Sequence, residues 1–178
     1  IYVLGPNTDT TVESFPYWGT ANYYQDVEIP GHVEYLDGNL QKQMGQDCSI
    51  KIHGNFSRGW PQKSFRFVAN DKYGDGTFDF APFPDKPEVK NFKSFNVRNG
   101  GVDYNTLHFR DGLMNRGARE LHLDIMDESP CLVYINGSYW GVYGLRERED
   151  ENYIESNYSI PSDQIELLRF SGSPLQGT

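Results

Sequence analysis

A basic stretch in the middle of the chain has the residue types that bind an anion. Residues 51–66 contain no Asp or Glu, and their cations are Lys51, Arg58, Lys63 and Arg66. Glycines at 54 and 59 flank Arg58. Glycine lets a backbone approach a phosphate closely, and lysine or arginine supplies the opposite charge. The stretch therefore predicts a phosphate cradle. The alternative is an ordinary β-meander whose turn has polar and basic side chains without binding a ligand, because no Walker-type spacing and no G-x-G-x-x-G is present.

Two strands are expected to hold this stretch in place. Residues 48–53 place Cys48, Ile50 and Ile52 on one face, and residues 63–68 place Phe65 and Phe67 on one face. Alternation of this kind is typical of half-buried strands. The nine residues 54–62 connect the two strands, which is long for a hairpin loop. The connection is therefore the part of this hairpin most suited to a function.

The same stretch resembles the signature of the CotH kinases, the spore coat protein H family. That signature is a Gly-Asn/Ala-Ser-Arg-like turn followed by a Lys-Ser-Tyr/Phe-Arg strand. The matching residues here are Gly54, Asn55, Ser57 and Arg58, then Lys63, Ser64, Phe65 and Arg66. Further matches follow in the family's order: Lys93 to Gly101, Arg110-Asp111, Leu132 to Tyr143, and Leu145-Arg-Glu-Arg. Together they span about residues 30–150.

The resemblance implies an atypical kinase-like fold that uses ATP with Mg²⁺ or Mn²⁺ to phosphorylate serine in proteins. It assigns Lys63 to the nucleotide phosphates, with Arg66 as a second cation. The loop residues Gly54, Asn55, Ser57 and Arg58 would close over the phosphates. Glu147 and Arg148 would form the hinge beside the base, although Arg148 stands where the family usually has lysine. An acidic partner for Lys63 would come from the main helix, as Asp111 or Glu120.

Two aspartates that the family needs for phosphoryl transfer have no match in this chain. In the family they lie well past the hinge, in a Trp-Asp-x-Asp-like motif, whereas the sole aspartate after residue 150 is Asp163. We therefore expect a nucleotide-binding part of a kinase-like protein that does not transfer phosphate alone. The resemblance also implies a bacterial surface or extracellular setting. The protein substrate is not indicated.

Two other classes of function stay open. One is a non-catalytic cell-surface or coat module that binds a protein or a glycan through its aromatic residues. The other is a glycan-active enzyme, which needs two carboxylates facing each other about 5 to 10 Å apart. No pair of carboxylates in the sequence stands out for that role, so this class ranks last.

Composition restricts the partners. The 178 residues carry a net charge of −9, which argues against a general nucleic-acid surface or an anionic membrane surface. No apolar run is long enough to insert into a bilayer. No Cys/His spacing suggests a metal site. Cys48 and Cys131 both fall on predicted strands, and the sequence leaves open whether they are two thiols or one disulfide.

The remaining patterns predict an α+β fold, an antiparallel sheet with one main helix packed on it. The resemblance to the CotH kinases implies that this fold is similar to the small nucleotide-binding lobe of an atypical kinase. Apolar residues three and four apart predict a helix over 105–121, capped by Asn105 or Thr106. Asn136-Gly137 predicts a type I′ hairpin. We expect an irregular N-terminal segment at 1–30, the α+β lobe at 31–158, and the truncated start of a following region at 159–178.

Overall fold

The computed structural model describes residues 22–168 and 174–176 of the chain. The strands are β1 (Ile29–Leu36), β2 (Lys42–His53), β3 (Ser64–Val68), β4 (Phe78–Asp79), β5 (Asn91–Phe92), β6 (Ser94–Arg98), β7 (Glu128–Ile135), β8 (Ser138–Arg146), β9 (Leu167–Leu168) and β10 (Pro174–Gln176). The helices are α1 (Arg110–Ala118) and α2 (Glu151–Tyr158). Short 3-10 turns lie at Asn22–Tyr24, Phe56–Gly59, Gly101–Asp103, Arg119–Leu121 and Ser162–Gln164.

A six-stranded antiparallel sheet forms the centre of the fold, in the order β1-β2-β3-β6-β8-β7. With α1 and α2 it confirms the predicted α+β class. Asn136 and Gly137 both have positive φ, +51° and +80°, as the predicted type I′ turn between β7 and β8 requires. The polar residues 39–47 predict a loop, but this is wrong from Lys42 onward, where β2 begins and pairs with β1.

The main helix is shorter than its leucine pattern predicted. α1 begins at Arg110, so the start and cap expected at Asn105 or Thr106 are wrong. A 3-10 turn at Gly101–Asp103 precedes it, and Gly101 has a φ of +65°, a conformation that glycine adopts without strain. α1 lies against the sheet through its first turn, where Asp111 bonds arginines of β6 and β8.

One face of the sheet carries the hydrophobic core. Phe65 of β3, Phe95 of β6 and Tyr143 of β8 are buried on this face. The prolines of residues 80–91 predict a loop there. This loop covers the core face, with Phe80 and Phe83 packed against the strands. Aromatic burial explains why a segment with little regular structure is well packed.

The end of β8 is tied to α2 by buried polar groups. Asp150 caps α2, since its Oδ1 accepts hydrogen bonds from the backbone N–H groups of Asn152 and Tyr153. The Tyr153 hydroxyl donates to the carbonyl of Ile125 at 2.8 Å. These contacts fix where the chain leaves the sheet after residue 146.

Cys48 and Cys131 are free thiols on β2 and β7, with β3, β6 and β8 between those strands. Burial raises the pKa of the Cys48 thiol to about 12 and that of Cys131 to about 11, so both are protonated at neutral pH.

Within the described part of the chain, no helix is long and apolar enough to cross a membrane.

Candidate anion-binding face

The face of the sheet opposite the core is polar and rich in arginine. Strand register places a row of side chains side by side across five strands: Lys51, Arg66, Asn96, Arg146 and Glu128. Arg98 lies on the same face, because it is two residues from Asn96 along β6, and strand residues alternate between the two faces. Arg148 follows the end of β8, and its Nη1 donates to Ser94 Oγ, which β6 places on this face. We call the surface formed by Lys51, Arg66, Arg98, Arg146 and Arg148 the cationic face.

Arg66 lies in the middle of this face and is held by neutral partners. Its Nε donates to Asn96 Oδ1 at 3.0 Å, and its Nη2 donates to His53 Nδ1 at 2.9 Å. Arg66 forms no ion pair with any carboxylate of the described residues. Each of the other described arginines does: Arg58, Arg98, Arg110, Arg116, Arg119, Arg146 and Arg148. Arg66 is therefore a partly buried, fixed guanidinium whose charge is not paired.

The arginines around Arg66 are paired with acids at the margin of the face. Asp111 Oδ2 accepts from Arg98 Nη1 and from Arg146 Nη1, both at 3.0 Å. Arg148 lies 3.1 Å from Asp150 Oδ2, and its Nη1 donates to Ser94 Oγ at 3.2 Å. These contacts hold the guanidinium groups in place without removing the positive charge at the centre.

His53 lies among the arginines of this face, and its pKa reflects both burial and their charges. Burial, then the charges of nearby arginines, lower the pKa of His53 to about 3. In order of effect, these arginines are Arg66, Arg98, Arg58 and Arg148. Burial and then Arg148 also lower the pKa of Arg66. Burial disfavours charge of either sign, so it is the arginine charges in this environment that favour a bound anion.

The predicted glycine loop lies at the edge of this face. Gly54 has a φ of +115° and directly follows His53 at the end of β2. Arg58 Nε donates to the Gly54 carbonyl at 2.7 Å, and its Nη1 donates to the Tyr24 carbonyl at 3.3 Å. Arg58 thus closes the loop on itself and ties it to the segment before β1. Asn55 is exposed at the start of the turn, and Ser57 lies within it.

Lys63 is buried beside that loop. Its Nζ donates to the Arg58 carbonyl at 2.7 Å and lies 4.0 Å from the centroid of the Tyr23 ring. Burial lowers the pKa of Lys63 to about 8. In this structure neither Asp111 nor Glu120 pairs with Lys63: Asp111 bonds Arg98 and Arg146, and Glu120 is exposed after α1. In the sequence, Tyr17, Trp18, Tyr23 and Tyr24 form an aromatic cluster suited to packing on a sheet or to a sugar platform, with packing favoured. Tyr17 and Trp18 lie outside the described residues.

Glu147 and Arg148, the predicted hinge residues, have different surroundings. Arg148 is on the cationic face. Glu147 is 2% exposed and accepts from Lys86 Nζ at 3.0 Å, from the Asp127 backbone N–H at 2.8 Å and from Asn157 Nδ2 at 3.1 Å. Glu147 therefore joins β8, the covering loop and α2, and its predicted role beside a base stays a prediction.

Several residues of the face were not predicted as site residues: His53, Asn96, Arg98, Arg146 and Glu128. The sequence signal that could have found them is the set of polar residues on one side of each strand, compared between neighbouring strands of the sheet.

Glu128 is buried between two glycines. A Cβ added at Gly112 or at Gly144 would meet its carboxylate. Burial raises the pKa of Glu128, while Arg146 and Arg98 act in the opposite direction. Within the described residues no group of three or more His, Cys, Asp or Glu side chains could hold a metal ion.

Comparison with known proteins identifies the family of this chain. No curated protein matches it. The profile of the family described as CotH kinase protein matches residues 50–176, which is more than half of the chain. The match begins in β2, four residues before the glycine loop, and includes β3, β6, α1, β7 and β8. The chain therefore belongs to the CotH kinase family.

Proposed function

We propose that this chain binds ATP together with Mg²⁺ or Mn²⁺, and that the nucleotide phosphates contact Arg66 on the cationic face. The observation that carries the proposal is the unpaired charge of Arg66 between His53 and Asn96. Membership in a kinase family supports nucleotide use in general. The geometry supports phosphate as the part that contacts the protein here.

A phosphate chain suits this face for a physical reason. A guanidinium offers several N–H donors in one plane, and it binds phosphate through charge-assisted hydrogen bonds. Two of the Arg66 nitrogens are already directed by Asn96 and His53, so the side chain loses little conformational freedom when it binds. Arg148 and Arg98 stand nearby to contact further phosphate oxygens.

The loop and Lys63 have supporting roles in this proposal. The backbone of Gly54, Asn55 and Ser57 would close over the phosphates, and Arg58 would keep that loop closed. Lys63 would face the nucleotide only if the Arg58 carbonyl and the Tyr23 ring released it. We therefore assign the first phosphate contact to Arg66 and treat Lys63 as a secondary one.

Phosphorylation of protein serine is the activity that the family implies. It requires a cation on the phosphates, metal-binding carboxylates and a group that orients the nucleophile. Of these, the cationic face offers only the first. We propose that the 178-residue chain binds the nucleotide and does not transfer phosphate alone. Turnover by the purified chain in a phosphotransfer assay, lost in Arg66→Gln, would contradict this part of the proposal. A bacterial surface or extracellular setting is likewise a proposal from the resemblance.

The proposal is tested by calorimetric titration of the chain with Mg-ATP. Arg66→Gln should weaken binding by about 10- to 100-fold, since a hydrogen bond to a charged group contributes about 1.5–3 kcal/mol. Arg116→Gln is the matched control, because Arg116 is exposed on α1 and pairs with Asp85. Both variants lose one positive charge, so a general effect of net charge would weaken them equally. Equal affinities in all three proteins would refute the proposal.

A second candidate function follows from the β7–β8 hairpin. Tyr134 and Tyr139 are exposed there with ring centroids 5.4 Å apart, and Leu132 beside them is exposed too. Exposed aromatic rings bind glycans or proteins, so the chain could instead act as a surface module. Glycan binding lost in Tyr139→Ala and kept in Arg66→Gln would favour this candidate.

A further inference from the structure

The side chain that holds Nη2 of Arg66 is His53, and histidine is a residue type that serves in many proteins as a titrating group or a metal ligand. His53 is the last residue of β2 and pairs in register with Ser64 of β3. From there its Nδ1 reaches Arg66 Nη2 at 2.9 Å. A guanidinium can only donate, so Nδ1 is the acceptor and the ring proton belongs on Nε2.

The charges around His53 keep the ring in that neutral form. Arg66 of β3 and Arg98 of β6 face it, together with Arg58 of the loop and Arg148 beyond β8, and with burial they hold its pKa near 3. Its imidazole therefore stays neutral across the physiological range. The hydrogen bond from Arg66 does not depend on a proton that comes and goes near pH 6.5.

We propose that His53 is a positioning residue, which aims Arg66 at the bound anion while leaving the charge of Arg66 uncancelled. Asn96 also positions Arg66 without adding charge, because its Oδ1 accepts a hydrogen bond from Arg66 Nε. A carboxylate in place of His53 would hold the guanidinium at least as firmly, but its negative charge would repel the phosphate. This inference rests on the proposed function and names how that site selects an anion.

The matched substitutions His53→Asn and His53→Asp separate positioning from a structural role. Asn places an oxygen acceptor near the Nδ1 position and is neutral, whereas Asp has the same shape and a negative charge. His53→Leu removes the acceptor and keeps the volume. The probes are Mg-ATP and inorganic tripolyphosphate, titrated into the chain by calorimetry, with urea unfolding of each variant alongside.

We expect His53→Asn to bind both probes within about threefold of the wild type. His53→Leu should bind up to about tenfold more weakly, because Arg66 is then no longer fixed in advance and must lose conformational freedom when it binds the phosphate. His53→Asp should be as stable to urea as His53→Asn and still bind at least tenfold more weakly. A purely structural role predicts instead that affinity follows stability in all three variants, which would overturn the inference.

The outcomes for this inference and for the proposed function can be told apart. If the wild type binds and Arg66→Gln does not, yet all His53 variants bind like the wild type, the proposed function stands and the positioning role is refuted. If the wild type binds neither probe, both are refuted. A readout without ligand completes the test: the His53 ring signals in NMR should not titrate between about pH 5 and 8. Titration near pH 6.5 would contradict a neutral acceptor held among arginines.

Discussion

Lys86→Met should strongly destabilise the fold, because it would leave the carboxylate of Glu147 buried without its charge partner. Glu147 is 2% exposed and Lys86 is 18% exposed, with 3.0 Å between Nζ and Oε2. Removing one partner of a buried ion pair costs about 3–5 kcal/mol. Two neutral donors, the Asp127 backbone N–H and Asn157 Nδ2, still reach Glu147. We therefore expect a loss at the low end of that range, about 3 kcal/mol.

Urea unfolding followed by circular dichroism measures this loss. With a slope of about 2 kcal/mol per molar urea, the midpoint should fall by roughly 1.5 M. Lys90→Met is the control, since Lys90 is exposed on the same loop and forms no ion pair with the described residues. The double variant Lys86→Met/Glu147→Gln should recover most of the loss, because the uncompensated charge is gone. A loss below about 1 kcal/mol for Lys86→Met would refute the assignment of Glu147 as a buried, ionised partner of Lys86.

Three further predictions concern the surroundings of the cationic face. Gly144→Ala should lower the free energy of unfolding by about 1–3 kcal/mol, because the new Cβ would lie 2.6 Å from Oε1 of the buried Glu128. No change in urea unfolding would show that the Glu128 side chain moves freely. Gly117→Ala in α1 meets nothing within 4 Å and should raise that free energy by about 0.5–1 kcal/mol; a loss would reveal a neighbour that the structure does not show. The pKa of Lys63 is about 8 in the folded protein, against an ordinary value of 10.5. Between these two pH values the unfolded chain binds more protons than the folded one. The wild type should therefore gain stability relative to Lys63→Met as pH rises from 8 towards 10.5. A difference that stays constant across this range would mean that the ammonium is not buried.

The strands were predictable because their signal is local. Alternation along 48–53 and 63–68 reflects one buried and one open face, and the structure has β2 and β3 there. The Asn136-Gly137 turn was equally local, since few residue pairs adopt positive φ twice in a row. The beginning of β2 was missed because its residues 42–47 are mostly polar, and pairing with β1 is what makes them a strand.

The helix was overestimated for a related reason. Leucines three and four apart predict a buried stripe, yet Leu113 and Met114 are 58% and 68% exposed. α1 is attached to the sheet through polar contacts of its first turn, above all the bonds of Asp111 to two arginines, and the pattern of apolar residues carries no information about them. Charged contacts between distant segments depend on the fold and leave no periodic trace.

The candidate site was predicted in part. Arg66 and Arg148 were proposed as binding residues, and the structure places both on the cationic face. His53 and Asn96 were missed, because their contribution is to direct Arg66 and follows from register between strands. The motif around Lys63 could not indicate that its ammonium packs on Tyr23 and the Arg58 carbonyl, since both contacts depend on how the loop closes. Side-chain direction at a loop is the part of a site that sequence reveals least.

The measurement that tests the central claim most directly is an NMR titration of the chain with Mg-ATP, followed at the arginine side-chain N–H signals. We expect the Arg66 signals to shift and saturate with ATP and the Arg148 signals to shift with them, while those of Arg116 on α1 stay unchanged. Saturable binding of ATP with the Arg66 signals unmoved would contradict that claim. The nucleotide would then bind elsewhere, and the unpaired charge between His53 and Asn96 would not be the phosphate contact.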